Sequence, residues 1–376
     1  MGGTTGRINV IRMNDFRAEP AALLAEQSRA FERVQRSGWY ILGPEVAQFE
    51  KQWAERCQVP AAAGVANGLD AIELGLRALA IGPGDEVITT PMTAFATVLG
   101  IMRAGATPVL ADIDPQTGLL SPLSVRHCIS RRTRAVLLVH LYGHVHRMDQ
   151  WLHFCQTEKL DLLEDCAQAH LSSWQGRSAG SFGRWGAYSF YPTKNLGALG
   201  DAGALVSTDA ALIEHVKVLR NYGQSERYHH PFLGANSRLD ELQAALLSVR
   251  LAWLEEFTSR RRSIARRYIQ GIKNPLLSLL AAPDAEEEHC YHLFVVLTPQ
   301  REALRLHLQK HEIESLSHYP VPIHRQQAVP DIMEDPEGLH AAERHAEQCL
   351  SIPCHPYLGD NEVDRIIETL NNFQGN

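Results

Sequence analysis

The sequence predicts an α/β protein built on a largely parallel sheet. From about residue 60 to residue 207, short β-branched or aliphatic runs alternate with stretches of helical apolar spacing. Several of those runs end in a polar residue where the chain turns toward its next helix, as strands do when their carboxyl ends form a ligand site. Size agrees: 376 residues that are 45% hydrophobic can bury a large core, in one large domain or two.

Strands are expected at 86–90, 108–111, 134–140, 161–164 and 186–190. Helical spacing fills 70–80, 93–104 and 148–159. Asp112, Asp114, His140, Asp165 and Ser189 close the strands, so chemistry is expected there. Over 237–270, Leu239, Leu242, Leu246, Val249, Trp253 and Phe257 recur every three or four residues, predicting one long helix or a broken pair that bridges two domains. A strand at 292–297, a helix at 301–310 and a Pro-rich turn at 319–322 then read as a smaller α+β domain. The expected division is a large α/β domain with an N-terminal helical segment over 1–250, and a small C-terminal domain over 251–376.

Composition excludes several classes. A net charge of −7 argues against a nucleic-acid surface, and Arg260, Arg261, Arg262, Arg266 and Arg267 read as a solvated helix face. No apolar run approaches the ~20 residues of a membrane span. The N-terminus, with Arg7, Arg12 and Asp15, lacks a signal-peptide core, so a cytoplasmic protein is expected. Seven scattered cysteines without a Cys-x-x-Cys pair indicate neither a disulfide framework nor a structural zinc site, and read as small buried hydrophobes.

Four short elements carry polar chemistry: Asn67-Gly68-Leu69-Asp70 opening a helix, Glu164-Asp165-Cys166-Ala167-Gln168 closing a strand, Ser189-Phe190-Tyr191-Pro192-Thr193-Lys194, and Gly234-Ala235-Asn236-Ser237-Arg238. Each alone has an ordinary reading as a cap, a surface lysine or a turn. His140, His144 and His146 straddle a strand end and a glycine turn with no evident carboxylate or cysteine partner, so no metal is expected. Gly197-x-x-Gly200-x-x-Gly203 leads toward a strand, not a helix, and is no dinucleotide fingerprint.

Order and spacing decide among these readings. Gly43-Pro44-Glu45-Val46, Gly82-Pro83-Gly84-Asp85-Glu86-Val87-Ile88, Val139-His140-Leu141-Tyr142-Gly143, Glu164-Asp165-x-Ala167-Gln168-Ala169, Ser189-Phe190-Tyr191-Pro192-x-Lys194-Asn195-Leu196-Gly197, Asn236-Ser237-Arg238-Leu239-Asp240-Glu241 and His318-Tyr319-Pro320-x-Pro322-x-His324 follow one another along the chain. From Gly38 onward it closely resembles the DegT/DnrJ/EryC1/StrS sugar aminotransferases, pyridoxal-phosphate enzymes of fold type I.

The resemblance implies a mostly parallel mixed sheet and the cofactor pyridoxal 5'-phosphate. It implies that Lys194 is the residue to which the cofactor is attached and the base that moves a proton between carbons, and that Asp165 keeps the pyridine nitrogen protonated. Gln168 is implied to reach the ring's 3-hydroxyl. Gly68 and Leu69 at a helix N-terminus, with Ser189, are implied to hold the phosphate; many relatives carry Thr where this chain has Leu69. Ala94 stands where many relatives have an aromatic residue, and Phe95 is either its substitute or core. Asn236, beside Arg238, is implied to touch the phosphate of a partner's cofactor, giving a homodimer with shared sites. Arg238, His318 and Tyr319 are implied to face substrate, the His318-Tyr319-Pro320 segment being either a closing loop or a rigid turn.

The expected reaction moves an amino group from glutamate to a keto group of a nucleotide-activated deoxysugar. The Asn67-Gly68-Leu69-Asp70 turn resembles that of members aminating C-3 of dTDP-linked 6-deoxy-3-ketohexoses. Two alternatives are a sugar dehydratase, in which histidine typically replaces the lysine, and a non-catalytic regulator of the same fold; Lys194 argues against the first. Small molecules, neither nucleic acid nor membrane, are the expected partners.

Overall fold

The computed structural model describes residues 10–375, so Arg7 lies outside the described residues. Helices α1 (Ala21–Ser37) and α2 (Pro44–Arg56) precede strand β1 (Ala61–Val65) and helix α3 (Gly68–Ala78). There follow β2 (Glu86–Thr89), α4 (Phe95–Arg103), β3 (Thr107–Leu110), α5 (Pro122–Cys128), β4 (Thr133–Val139), α6 (Met148–Glu158) and β5 (Asp161–Asp165). A small hairpin, β6 (Ser173–Trp174) and β7 (Arg177–Ser178), leads to β8 (Gly186–Ser189), β9 (Gly203–Ser207) and α7 (Ala210–Leu219). The predicted broken pair is α8 (Glu241–Leu251) and α9 (Leu254–Gly271). The remainder comprises β10 (Ser278–Leu279), β11 (Phe294–Leu297), α10 (Arg301–Lys310), β12 (Met333–Glu334), α11 (His340–Gln348), β13 (Cys349–Ile352) and α12 (Asp360–Asn371).

Eight strands form the main sheet in the order β1-β9-β8-β5-β4-β2-β3-β12. All run parallel except β9, which is antiparallel to both neighbours. The sheet is covered on both faces, which is why β4, after Thr133 and the exposed Arg134, is apolar and buried throughout. Its Val136 and Leu138 pack with Phe49, Trp53, Trp151 and Leu247, while Ala135 and Leu137 pack with Leu74, Ile101 and Ile213. The sequence reading omitted β1, whose Ala61-Ala62-Ala63-Gly64-Val65 has weak strand propensity; burial between helices imposes it.

A second core joins Ile264 and Tyr268 of α9 to Val296, Leu304, Leu350 and Ile366. Two segments cross the expected boundary at residue 250. Ile11 lies in this second core and bridges to Ile313, while β12 pairs with β3 at the edge of the main sheet. One expectation is corrected here: the arginine-rich stretch of α9 is no solvated face. Arg261 is buried, donating to the carbonyls of Tyr291, His292 and Cys354, and Arg262 donates to that of His289; only Arg266 of the five is exposed. All seven cysteines are buried and unpaired. No described helix is long and apolar enough to cross a membrane.

Candidate active site

The polar residues converge at the carboxyl edge of the sheet because β1, β2, β4, β5 and β8 all end there. β1 leads into Asn67, whose side chain accepts the Asp70 N–H at 2.8 Å and caps α3. The N–H groups of Gly68 and Leu69 have no protein acceptor among the described residues, and they point out of a helix N-terminus of positive potential. Ser189 lies against this turn; a Cβ on Gly68 would come within 2.8 Å of the Ser189 Cβ. Gly203, opening β9, is needed for the same reason: a Cβ there would meet the Asn67 carbonyl at 2.4 Å. The result is a cradle of N–H and hydroxyl donors open to an anion.

Asp165, at the end of β5, is buried. Its Oδ1 accepts the Ala167 N–H at 3.1 Å and its Oδ2 accepts the Thr97 hydroxyl at 2.8 Å. Burial raises its pKa, opposed by these two hydrogen bonds and the nearby Lys194 charge. Lys194 follows β8 on a turn closed by its own N–H to the Tyr191 carbonyl, 2.8 Å. Its ammonium makes no hydrogen bond or ion pair among the described residues, and burial pushes it down to about 8 against the opposing pull of Asp165. The two groups feel each other's charge without forming an ion pair.

Gln168 accepts the Tyr142 N–H at 2.6 Å and donates to the Tyr319 hydroxyl at 3.1 Å, leaving one amide N–H without a protein acceptor among the described residues. Tyr319 thus reaches from beyond the second core to the sheet edge. Burial pushes its phenol well above the ordinary tyrosine range, so it stays neutral. His318 is bonded to Ser351 at 2.9 Å and is held neutral by burial, near 4. Its carbonyl accepts the Tyr142 hydroxyl. Phe95 stands partly exposed in the first turn of α4, two residues before Thr97.

Asn236 is exposed and bridges Asn221; the next residue, Ser237, accepts the Ala66 N–H at 3.1 Å, which ties this loop to the donor cradle. Arg238 donates to Asn221 at 3.2 Å and lies over the Tyr222 ring at 5.2 Å. Around this loop Trp39, Tyr40, Leu199 and Tyr222 are exposed, each by close to half or more.

Three expected chemical positions are corrected. Asp112 is bound to the backbone N–H groups of Ala341 and Ala342 at the start of α11, and Asp114 closes its own turn through Gln116 and Thr117, so neither reaches the site. His140 was expected without a carboxylate partner but has one: its Nε2 bonds Glu164 at 3.0 Å. Glu164 also accepts the N–H groups of Gly180, Phe182 and Gly183, so all its acceptor positions are committed and the His140–Glu164–Cys166 cluster reads as scaffold.

Sequence reasoning missed Thr97, Tyr142 and the Asn195–His292 pair. His292 Nδ1 bonds Asn195 Oδ1 at 3.2 Å, fastening the turn after Lys194 to the segment before β11. Thr97 and Tyr142 lay in segments singled out for other residues. Only the three-dimensional register shows their contacts.

The pattern of the DegT/DnrJ/EryC1/StrS aminotransferase family matches residues 22–371. The chain is 43% identical over 358 residues to the dTDP-3-amino-3,4,6-trideoxy-alpha-D-glucose transaminase of Streptomyces venezuelae, covering 95% of this chain and 94% of that protein. It is 44% identical over 348 residues to the dTDP-3-amino-3,6-dideoxy-alpha-D-galactopyranose transaminase of Aneurinibacillus thermoaerophilus, covering 93% and 95%. Its backbone superposes on the crystal structure of S. venezuelae DesV with a TM-score of 0.93 at 42% identity, over 96% of this chain and 98% of that one.

Proposed function

The chain belongs to the DegT/DnrJ/EryC1/StrS aminotransferase family, and from that premise we propose that it transfers an amino group from glutamate to C-3 of a dTDP-linked 3-keto-6-deoxyhexose with pyridoxal phosphate as cofactor. The observation that carries this reading is the meeting, at one sheet edge, of a buried carboxylate, an unpaired lysine and a helix N-terminus with free donors. These residues fit the cofactor: the Gly68 and Leu69 N–H groups and the Ser189 hydroxyl for the phosphate, Asp165 for the ring nitrogen, and Gln168 for the ring hydroxyl through its remaining N–H. When bound, pyridoxal phosphate supplies an electron-accepting ring that carries the amino group between donor and acceptor.

The chain's own groups then have distinct tasks. Lys194 holds the cofactor at rest. Once released, its Nζ takes the proton from the donor's α-carbon and returns it elsewhere, a role suited to an amine that titrates near 8. Asp165 offers its carboxylate to the ring nitrogen, held in one orientation by Thr97 and Ala167. Phe95 is the aromatic residue we assign to the ring face. Tyr319 and His318 cover the site and restrict water, and Asn236 and Arg238 serve the site of a second subunit in a homodimer.

The C-3 and dTDP assignment is supported by the names of the two relatives above, each a dTDP-3-amino sugar transaminase, and by the Asn67-Gly68-Leu69-Asp70 turn. Incubation with glutamate and matched keto sugar nucleotides, with products identified by mass and NMR, tests it. An aminated C-3 of a dTDP sugar is expected; no amination of any keto sugar refutes it.

A further inference from the structure

Thr93 and Thr97 are both buried, on the loop after β2 and in the first turn of α4. Their hydroxyl oxygens are 2.7 Å apart, and the Thr97 hydroxyl is 2.8 Å from Asp165 Oδ2. Each hydroxyl has a single hydrogen to donate. When Asp165 is ionised it can only accept, so the directions are fixed: Thr93 donates to Thr97, and Thr97 donates to Asp165. When Asp165 carries its proton on Oδ2 and donates it to Thr97, the Thr97 hydrogen must turn away, and it finds an acceptor only if the Thr93 hydroxyl turns as well. The Thr93 hydrogen then has no acceptor among the described residues, since its only hydrogen bond is to Thr97. With the proton on Oδ2 the chain is one acceptor short, and with the proton on Oδ1 the Thr97 hydroxyl meets a neutral carbonyl; only the ionised state gives a complete chain ending on a charge.

We infer that the Thr93–Thr97 pair is a polarised relay that selects the ionised form of Asp165 and aims Oδ2, making Thr97 a positioning residue for the carboxylate that meets the cofactor's ring nitrogen. That last role rests on the reaction proposed above. The relay offsets burial, which favours the neutral acid. The other charged or titratable groups acting on Asp165 are His140 at the end of β4, Cys166 beside it on its own strand end, Lys194 from the turn after β8, and Tyr319 from the covering loop. His140 hydrogen-bonds Glu164, and burial keeps Tyr319 and Cys166 neutral; from α4 and the loop before it Asp165 meets hydroxyls, the one charged side chain of α4, Arg103, being paired with Asp70 and Glu73.

The test compares the cofactor-free protein with Thr97→Val, Thr97→Ser and Thr93→Val by thermal unfolding from about pH 5 to about pH 8. Because the folded value of Asp165 is raised, the unfolded chain loses this proton first, and stability falls as pH climbs above the ordinary 3.8 toward the raised value. Thr97→Val should steepen that fall, so that its deficit against wild type grows with pH. Thr97→Ser should follow wild type, and Thr93→Val should lie between. In the loaded protein, Thr97→Val should bind pyridoxal phosphate about tenfold more weakly, as expected for a lost hydrogen bond to a charged group. A deficit of equal size at both ends of the pH range, or a Thr97→Ser that behaves like Thr97→Val, would overturn the relay. If Thr97→Val does not fold, the pH dependence of the Thr93→Val deficit decides in the same way. A pH-dependent deficit in a protein that aminates no sugar would leave the relay standing and refute the proposed reaction instead.

Discussion

At Lys194 the same burial that makes the amine a usable base also costs stability. Its folded pKa of about 8 lies below the ordinary 10.5, so the unfolded chain binds the proton more strongly. That cost is fully present below about pH 8 and is relieved as pH rises from 8 toward 10.5. Lys194→Met should therefore raise the melting temperature of the cofactor-free protein at neutral pH, with the gain shrinking above pH 8; a loss at neutral pH would contradict the account. The same variant should have no turnover and no borohydride-bleachable colour. Asp165→Asn keeps the shape but loses the charge and one acceptor oxygen, so it should still bind pyridoxal phosphate while turnover falls by about 10² or more; a rate within a few fold of wild type would mean that another group faces the ring nitrogen. Lys194 and Asp165 were legible in the sequence because Asp165 ends a strand and Lys194 follows one, each within a long motif. Thr97 was not, because its meaning lies in an oxygen 68 positions away that only strand register brings near.

Among the elements, the start of α2 shows what a motif can encode beyond the site. Glu241, the first residue of α8, is buried and accepts the N–H groups of Gly43, Glu45 and Val46 at 2.8 to 2.9 Å, capping a helix nearly 200 residues earlier in the chain. A Cβ on Gly43 would clash with this carboxylate at 2.7 Å. The Gly-Pro-Glu-Val and Asn-Ser-Arg-Leu-Asp-Glu motifs are thus two halves of one contact. Glu241→Gln, which loses the charge and one acceptor oxygen, should cost about 1–3 kcal/mol of unfolding free energy in denaturant titrations; an unchanged midpoint would show the cap to be dispensable. Helices α4, α6 and α10 and strands β2 to β5 were readable because their periodicity matches their burial. β1 was not, since a run of alanines carries no strand signal until packing supplies one. The solvated reading of the α9 arginines failed for a related reason: helical spacing gives no information on carbonyls that arrive from α9's neighbours, such as those that surround Arg261.

Across the whole molecule the donor cradle, Asp165 and Lys194 lie in one subunit, while Asn236 is exposed next to the exposed Tyr222, and Trp39 and Tyr40, which lead into the Ile41–Asp240 bridge, are exposed as well. If Asn236 serves a second subunit, mixing inactive Lys194→Met and Asn236→Asp proteins should yield heterodimers with one intact site and recover activity; no recovery after verified subunit exchange would remove the shared-site proposal. The order of motifs made the fold and the residues that meet at the sheet edge legible, but not the crossing of the Ile11 segment to the second core, since a single bridge to Ile313 leaves no periodic trace. In the proposed site Leu69 would lie at the phosphate end and not beside the acceptor carbon, so the cradle would not itself read out the sugar. The central claim is therefore tested most directly by kcat/KM with glutamate and, in parallel, dTDP-3-keto, dTDP-4-keto and UDP-3-keto sugars. The account predicts that the dTDP-3-keto-6-deoxyhexose is preferred by at least about tenfold, ~1.4 kcal/mol in transition-state binding; a tenfold preference for the 4-keto or UDP compound would contradict it.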